Sequence, residues 1–178
     1  MRDIWNIFIS LAVLFSVVAC HSNDAPQVPF NKLPKNTIND DLMALNAGFM
    51  ELEREDIKHY IDSLGLQMDT TISGLHYRID EEGYGDSVAK FDEVTIRYTI
   101  TLLDGTTCDD LRETVKMVRL GKGNLIKGLE EAVSMLKVSG SGTFIIPSYL
   151  AYGVSGKSGC VPPWNPLFCK VCLIEKRK

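Results

Sequence analysis

One stretch decides the fold of this chain: Leu120–Tyr152, which reads LGKGNLIKGLEEAVSMLKVSGSGTFIIPSYLAY. Its first half carries apolar residues at helical spacing, so a short helix with one core-facing side is predicted. These residues are Leu125, Ile126, Leu129, Val133 and Leu136. Its second half, Thr143–Pro147, is β-branched and aromatic, which favours a strand. The stretch therefore predicts one helix packed against a sheet.

Alternation of apolar and polar residues predicts five short strands along the chain, including the one in this stretch. They cover residues 73–79, 94–103, 114–120, 143–146 and 167–174. The second strand has the strongest pattern, and it places Val94, Ile96, Tyr98, Ile100 and Leu102 on one face. Asp104-Gly105 follows it as a turn signal. The predicted class is α+β, with a mostly antiparallel five-stranded sheet wrapped on one short helix.

A second, amphipathic helix is predicted ahead of the sheet, within residues 40–66. Asp40-Asp41 can cap its start and Gly65 can end it. Its apolar positions recur every three or four residues: Leu42, Leu45, Phe49, Leu52, Ile57, Tyr60, Ile61 and Leu64. Two readings stay open, since the pattern does not say what covers the stripe. It is a dimerisation or chaperone surface at residues 42–64, or it packs on the protein's own domain.

Length and charge narrow the function classes. The chain of 178 residues has room for one domain plus appendages. Its formal net charge is −4, and it has no basic run. This argues against nucleic acid as a partner.

The N-terminus carries a targeting signal. Ile4–Ala19 is almost wholly apolar, short for a membrane span but long enough for the core of a signal peptide, predicted over residues 1–19. The sequence Val17-Val18-Ala19-Cys20 resembles the lipobox of bacterial lipoproteins, which implies that Cys20 is lipidated and becomes the new N-terminus. The alternatives are a cleaved signal with an incidental Cys20, or a transmembrane anchor. Proline-containing residues 20–39 are predicted to form a tether. The expected location is the bacterial cell envelope, at the outer membrane or the periplasmic face.

Several motifs in the right order resemble the FKBP-type peptidyl-prolyl cis-trans isomerases over residues 73–176. The downstream motifs are Leu120-Gly121, Leu125-Ile126-x-Gly128, Pro147, Ala151-Tyr152-Gly153 and Val161-Pro162-Pro163. The upstream motifs are Val94-x-Ile96-x-Tyr98 and Leu103-Asp104-Gly105-x-x-x-Asp109. The resemblance implies an FKBP-like domain over residues 73–178 that isomerises X–Pro bonds of exported or surface proteins.

The same resemblance implies which residues form the substrate pocket. Tyr98, Asp109, Ile126 and Tyr152 would be catalytic. Cys108, Leu125, Leu129, Val161 and Cys169 would bind substrate. In the family, the backbone N–H at Ile126 and the hydroxyl at Tyr152 donate to substrate carbonyls. No cofactor and no metal is implied, because an apolar pocket that removes water from the prolyl amide suffices.

This chain departs from the family at four positions of that pocket. The family usually has Phe at Cys108 and Cys169, often Trp at Leu129, and commonly an aromatic near Lys116. Two further functions stay open, the first of them favoured by these smaller pocket walls. One is a non-catalytic module that binds proline-containing segments as a chaperone. The other is a structural lipoprotein of an envelope secretion or motility complex, recruited through residues 42–64.

The resemblance also implies a covalent pairing. Cys108 and Cys169 replace residues that neighbour each other in related folds, so a disulfide between them is expected in an oxidising envelope. The alternative is two buried free thiols. Cys169 and Cys172 are not expected to pair, because strand alternation places them on opposite faces.

Overall fold

The computed structural model describes residues 35–112 and 114–177. The chain divides into two units, residues 1–41 and 42–178, and the architecture below is that of the second. The predicted signal peptide, Cys20 and the tether up to residue 34 lie outside the described residues.

Seven strands form one sheet in the described part of the chain. They are β1 (Asp69–Thr70), β2 (His76–Glu81), β3 (Glu93–Leu102), β4 (Thr107–Asp110), β5 (Lys116–Arg119), β6 (Ser141–Ile146) and β7 (Leu167–Arg177). Their order is β1-β2-β6-β7-β3-β4, with β5 paired to β3, and every pairing is antiparallel. All five predicted strands are present. Strands β1 and β4 were missed because two and four residues are too few to show apolar alternation.

Strand β3 is the centre of the sheet. Its side chains alternate between buried and more exposed, and the five residues predicted to share a face are all at most 6% exposed: Val94, Ile96, Tyr98, Ile100 and Leu102. Strand β7 pairs along its whole length on one side. On the other side β5 pairs with its first half and β4 with its second half. Residues at the β4 end of β3 therefore have β4 and β7 as neighbours.

The short helix is α2 (Lys127–Ser134), which buries Leu129, Ala132 and Val133 against the sheet. Gly128 is required by this packing, because a Cβ there would overlap the side chain of Ile146 on β6. The predicted helix is confirmed. Its first residues lie directly over the sheet, and that position places the loop before it beside β3.

The long helix α1 (Lys35–Ser63) begins five residues before the predicted start at Asp40, inside the predicted tether. Residues 35–39 carry no apolar periodicity, which is why the pattern missed them. Gly65 confirms the predicted end. It has a φ of +59°, and the next residue, Leu66, donates its N–H back to the Ile61 carbonyl at 3.1 Å.

The C-terminal half of α1 packs on the domain. Ile57 is 2% exposed, and the Tyr60 ring meets Phe168 edge-on with the centroids 5.7 Å apart. Glu53 is buried and accepts hydrogen bonds from the backbone N–H and the hydroxyl of Ser148. Burial raises the pKa of Glu53, and the two Ser148 hydrogen bonds oppose that effect.

Between residues 42 and 52, α1 leaves several apolar side chains exposed. Leu42, Met43, Leu45 and Leu52 are each more than half exposed. The interpretation that the helix packs on the protein's own domain therefore holds from Glu53 onward. That the exposed side chains of residues 42–52 form a dimerisation or chaperone surface stays a prediction. In the part of the chain that the structure describes, neither helix is long and apolar enough to cross a membrane.

Candidate functional site

A cavity of about 280 Å³ opens between strand β3 and the start of helix α2. Six of the nine predicted pocket residues line it: Tyr98, Asp109, Leu125, Ile126, Leu129 and Tyr152. Cavities of similar volume lie beside α1, on the outer side of the sheet and along residues 155–163. The cavity between β3 and α2 is therefore distinguished from the others by the chemistry of its lining and not by its volume.

Each wall of the cavity comes from a different element. Strand β3 contributes Tyr98 and Ile100, β4 contributes Asp109, and β5 contributes Lys116. The residues that lead into α2 contribute Gly123 to Ile126, and α2 itself contributes Leu129. The loop after β6 contributes Tyr152 and Lys157. Leu129 is 1% exposed, so it forms an apolar base beneath the more accessible side chains.

Tyr98 and Asp109 form a hydrogen-bonded pair across strands β3 and β4. The Tyr98 hydroxyl donates to Asp109 Oδ2 at 3.0 Å. Burial raises the pKa of Tyr98 far above its usual range, and the bonded Asp109 carboxyl raises it further. Tyr98 is therefore neutral at physiological pH, and its hydroxyl is already hydrogen-bonded to the Asp109 carboxylate.

Two other donors in the lining have no acceptor among the residues that the structure describes. Ile126 is the N-cap of α2, and its carbonyl oxygen accepts from the N–H groups of Leu129 and Glu130 at 3.1 and 3.0 Å. No hydrogen bond joins its own N–H to residues 35–112 or 114–177. The half-buried Tyr152 hydroxyl has no hydrogen-bond partner among the same residues. Both donors can therefore accept a ligand oxygen as a partner.

Three predicted pocket residues do not line the cavity: Cys108, Val161 and Cys169. Val161 is 4% exposed and lines a shallow neighbouring cavity, while Cys169 is fully buried. A cysteine is shorter than the phenylalanine of the family, so Cys169 stays in the core behind Tyr98. Burial raises the pKa of its thiol, and the nearby Asp109 charge adds to this, which makes the thiol unreactive.

The disulfide expected between Cys108 and Cys169 was a wrong prediction. Cys108 is bonded to Cys160, with the Cα atoms 5.5 Å apart, and Cys169 and Cys172 are free. Strands β4 and β7 lie on opposite sides of β3, where Cys169 faces Ile100. Cys108 and Cys169 are thus two strands apart, about 9–10 Å, which is too far for a disulfide. The prediction that Cys169 and Cys172 do not pair is confirmed.

The cavity also contains Lys116, which the family resemblance placed near an aromatic position of the pocket, and four residues that were not predicted: Ile100, Gly123, Asn124 and Lys157. Ile100 could have been found, because strand alternation places it on the same face as Tyr98. Lys157 lies in a glycine- and serine-rich loop with no periodic pattern. The sequence therefore gives no sign that Lys157 lies at the cavity, and only the folded structure shows its ammonium group over the Tyr152 ring.

Comparison with known proteins agrees with this geometry. A family model described as FKBP-type peptidyl-prolyl cis-trans isomerase matches residues 85–174. The chain is 38% identical over 106 residues to a probable FKBP-type peptidyl-prolyl cis-trans isomerase FkpA of Neisseria meningitidis, covering 60% of this chain and 39% of that protein. It is 34% identical over 106 residues to the outer membrane protein MIP of Legionella longbeachae, covering 60% and 46%. The chain thus spans less than half the length of both.

Solved structures show the same fold. The crystal structure of FkpA from Escherichia coli superposes with a TM-score of 0.62 at 28% identity, covering 82% of this chain and 74% of that one. This confirms the predicted FKBP-like α+β fold. The family match covers half of the chain, and it includes the strands and the helix that build the cavity. The chain belongs to the FKBP-type peptidyl-prolyl cis-trans isomerase family.

Proposed function

We propose that this protein is a peptidyl-prolyl cis-trans isomerase that acts on X–Pro bonds of exported or surface polypeptides. The observation that carries the proposal is an apolar base at Leu129 with two donors beside it, the Ile126 N–H and the Tyr152 hydroxyl, which have no partner in the described part of the chain. Rotation about a peptide bond crosses a barrier of about 18–20 kcal/mol, because it breaks amide resonance. For X–Pro bonds it takes tens to hundreds of seconds without a catalyst.

The proposed mechanism needs no nucleophile and no proton transfer. The prolyl ring would lie on Leu129 between Tyr98 and Tyr152, which removes water from the amide. The planar amide is the more charge-separated form, so loss of water disfavours it relative to the twisted transition state. The Ile126 N–H and the Tyr152 hydroxyl would hold the flanking carbonyls. Asp109 would fix the Tyr98 ring through its hydrogen bond.

A Tyr152→Phe variant tests the hydroxyl contact. The substitution keeps the ring and removes a donor without a partner of its own, so stability should stay within about 0.5 kcal/mol of wild type. The expected loss in kcat/KM is about threefold to tenfold, the worth of one hydrogen bond. A protease-coupled assay on proline-containing peptides measures it. Equal turnover by wild type and variant would leave the hydroxyl without a role.

The non-catalytic binding module is a second candidate, favoured by the two cysteines that replace aromatic walls. It predicts that wild-type protein binds proline peptides without accelerating their isomerisation. The structural lipoprotein is a third candidate, favoured by the exposed apolar stripe on α1. It predicts that deleting residues 42–52 abolishes capture of the complex while isomerase activity stays unchanged.

We further propose that the protein is anchored in the bacterial envelope by lipid on Cys20. The motif Val17–Cys20 supports this, as does the similarity to MIP of Legionella longbeachae, an outer membrane protein. Several acyl chains on one residue give stable anchoring. Metabolic labelling with a fatty acid should mark wild type and not Cys20→Ser. Equal labelling of both would contradict the anchor.

A homodimer through residues 42–64 is the last part of the proposal. The exposed side chains of Leu42, Leu45 and Leu52 support it, because a second copy would remove this apolar surface from water. Sedimentation should give a dimer for wild type and a monomer after all three are changed to glutamine. A monomeric wild type would contradict it.

A further inference from the structure

Two lysines line the cavity, each with its ammonium group over one of the tyrosine walls. The Lys116 Nζ lies 5.9 Å from the centroid of the Tyr98 ring. The Lys157 Nζ lies 5.7 Å from the centroid of the Tyr152 ring. The face of an aromatic ring attracts a cation at this range, so both ammonium groups are kept close to where a ligand would bind.

The charge of these lysines is not balanced within the described structure. Neither forms an ion pair with residues 35–112 or 114–177. The acid in the lining, Asp109, is already bonded to the Tyr98 hydroxyl. The cavity lining therefore carries two ammonium groups against one carboxylate, in a chain whose net charge is −4.

The backbone holds Lys157 in place at the cavity. Lys157 and Val161 exchange backbone hydrogen bonds of 2.7 and 2.9 Å, which closes a tight turn. Cys160 within that turn is disulfide-bonded to Cys108, next to Asp109 on strand β4. The turn that carries Lys157 is thus tied covalently to the opposite wall of the cavity. A positioned charge loses less conformational freedom on binding than one on a free loop.

We propose that Lys116 and Lys157 select X–Pro segments with an acidic side chain next to the proline. This inference rests on the proposed isomerase function and names its substrate class. A prolyl ring between Tyr98 and Tyr152 places the neighbouring side chain within reach of an ammonium group. A carboxylate there forms a charge-assisted hydrogen bond, which is stronger than a neutral one. A lysine side chain at the same position is repelled.

Nuclear magnetic resonance exchange spectroscopy on the full chain tests the proposal without a protease. The substrates are Ala-Glu-Pro-Phe, Ala-Gln-Pro-Phe and Ala-Lys-Pro-Phe, with a second set that carries the same residues after the proline. In at least one set we expect kcat/KM for glutamate to exceed that for glutamine about threefold to tenfold, with lysine lowest. The preference should shrink in 0.5 M salt, about where ionic screening reaches contact range.

Reversing the charge of Lys157 tests the proposal more strictly than the comparison of peptides alone. Lys157→Glu should invert the order so that the lysine peptide becomes the better substrate, and Lys116→Gln should weaken the glutamate preference. Lys58→Glu, on an exposed part of α1 outside the cavity, is the matched control and should leave the order unchanged. Circular dichroism and urea unfolding establish that each variant is folded.

The possible failures are distinguishable. Equal acceleration of glutamate and glutamine peptides in both sets would overturn the selection of acidic segments while the isomerase function stands. A preference that survives Lys157→Glu and Lys116→Gln together would also overturn it. No acceleration of any peptide would overturn the isomerase function, and this inference with it.

Discussion

Replacing Cys108 and Cys160 together by serine is expected to lower the free energy of unfolding by about 4 kcal/mol. The two residues are 52 positions apart, so the bond closes a long loop and removes much conformational freedom from the unfolded chain. It also ties β4 to the turn that carries Lys157. The loss should therefore appear in substrate selection as well as in stability.

Urea unfolding of oxidised wild type, reduced wild type and the double variant measures the effect. Reduced wild type should resemble the variant. Cys172→Ser is the control, because Cys172 is a half-buried free thiol, and its change should stay within about 0.5 kcal/mol. A double variant within 1 kcal/mol of the oxidised protein would mean that the bond contributes little to stability.

Ile126→Pro is expected to lower kcat/KM about tenfold to a hundredfold, since it leaves a substrate carbonyl without its donor away from water, which costs about 1–3 kcal/mol. Proline removes the backbone N–H that lacks an acceptor. It fits the backbone here, because the φ of Ile126 is −65°, the value that the proline ring imposes. Proline is also well tolerated at the start of a helix.

The control for this prediction is Ile126→Ala, which removes the same apolar side chain but keeps the N–H. Both variants should unfold at similar urea concentrations, and the alanine variant should keep most of the activity. Equal losses of activity in the two would assign the effect to the side chain and leave the backbone donor without a role.

Much of the fold could be predicted because its strongest signals are periodic. Alternation along β3 identified five buried side chains, and helical spacing identified the face of α2 that carries Leu129. These two elements supply the base of the cavity. Residues 35–39 of α1 and strand β4 have no such apolar pattern, so they were missed or placed in the wrong element.

The remaining errors concern which residues face each other across the sheet. The partner of Cys108 depends on strand order, because β3 separates β4 from β7, and no local pattern encodes that separation. Lys157 lies in an irregular loop, and only the folded structure shows that this loop places its ammonium group over the Tyr152 ring. The family resemblance placed six of the nine predicted pocket residues correctly in the cavity lining, but it could not show that Cys108, Val161 and Cys169 lie outside it.

The central claim is that the cavity above Leu129 binds a prolyl ring and speeds its isomerisation. Titrating isotope-labelled full-length protein with an Ala-Glu-Pro-Phe peptide tests it most directly, with binding shifts and peptide cis–trans exchange recorded in one sample. We expect chemical-shift changes centred on Ile126, Leu129 and Tyr152, together with peptide exchange that is faster than in the absence of protein. Shifts confined to helix α1 or the outer face of the sheet, or exchange no faster than without protein, would contradict it.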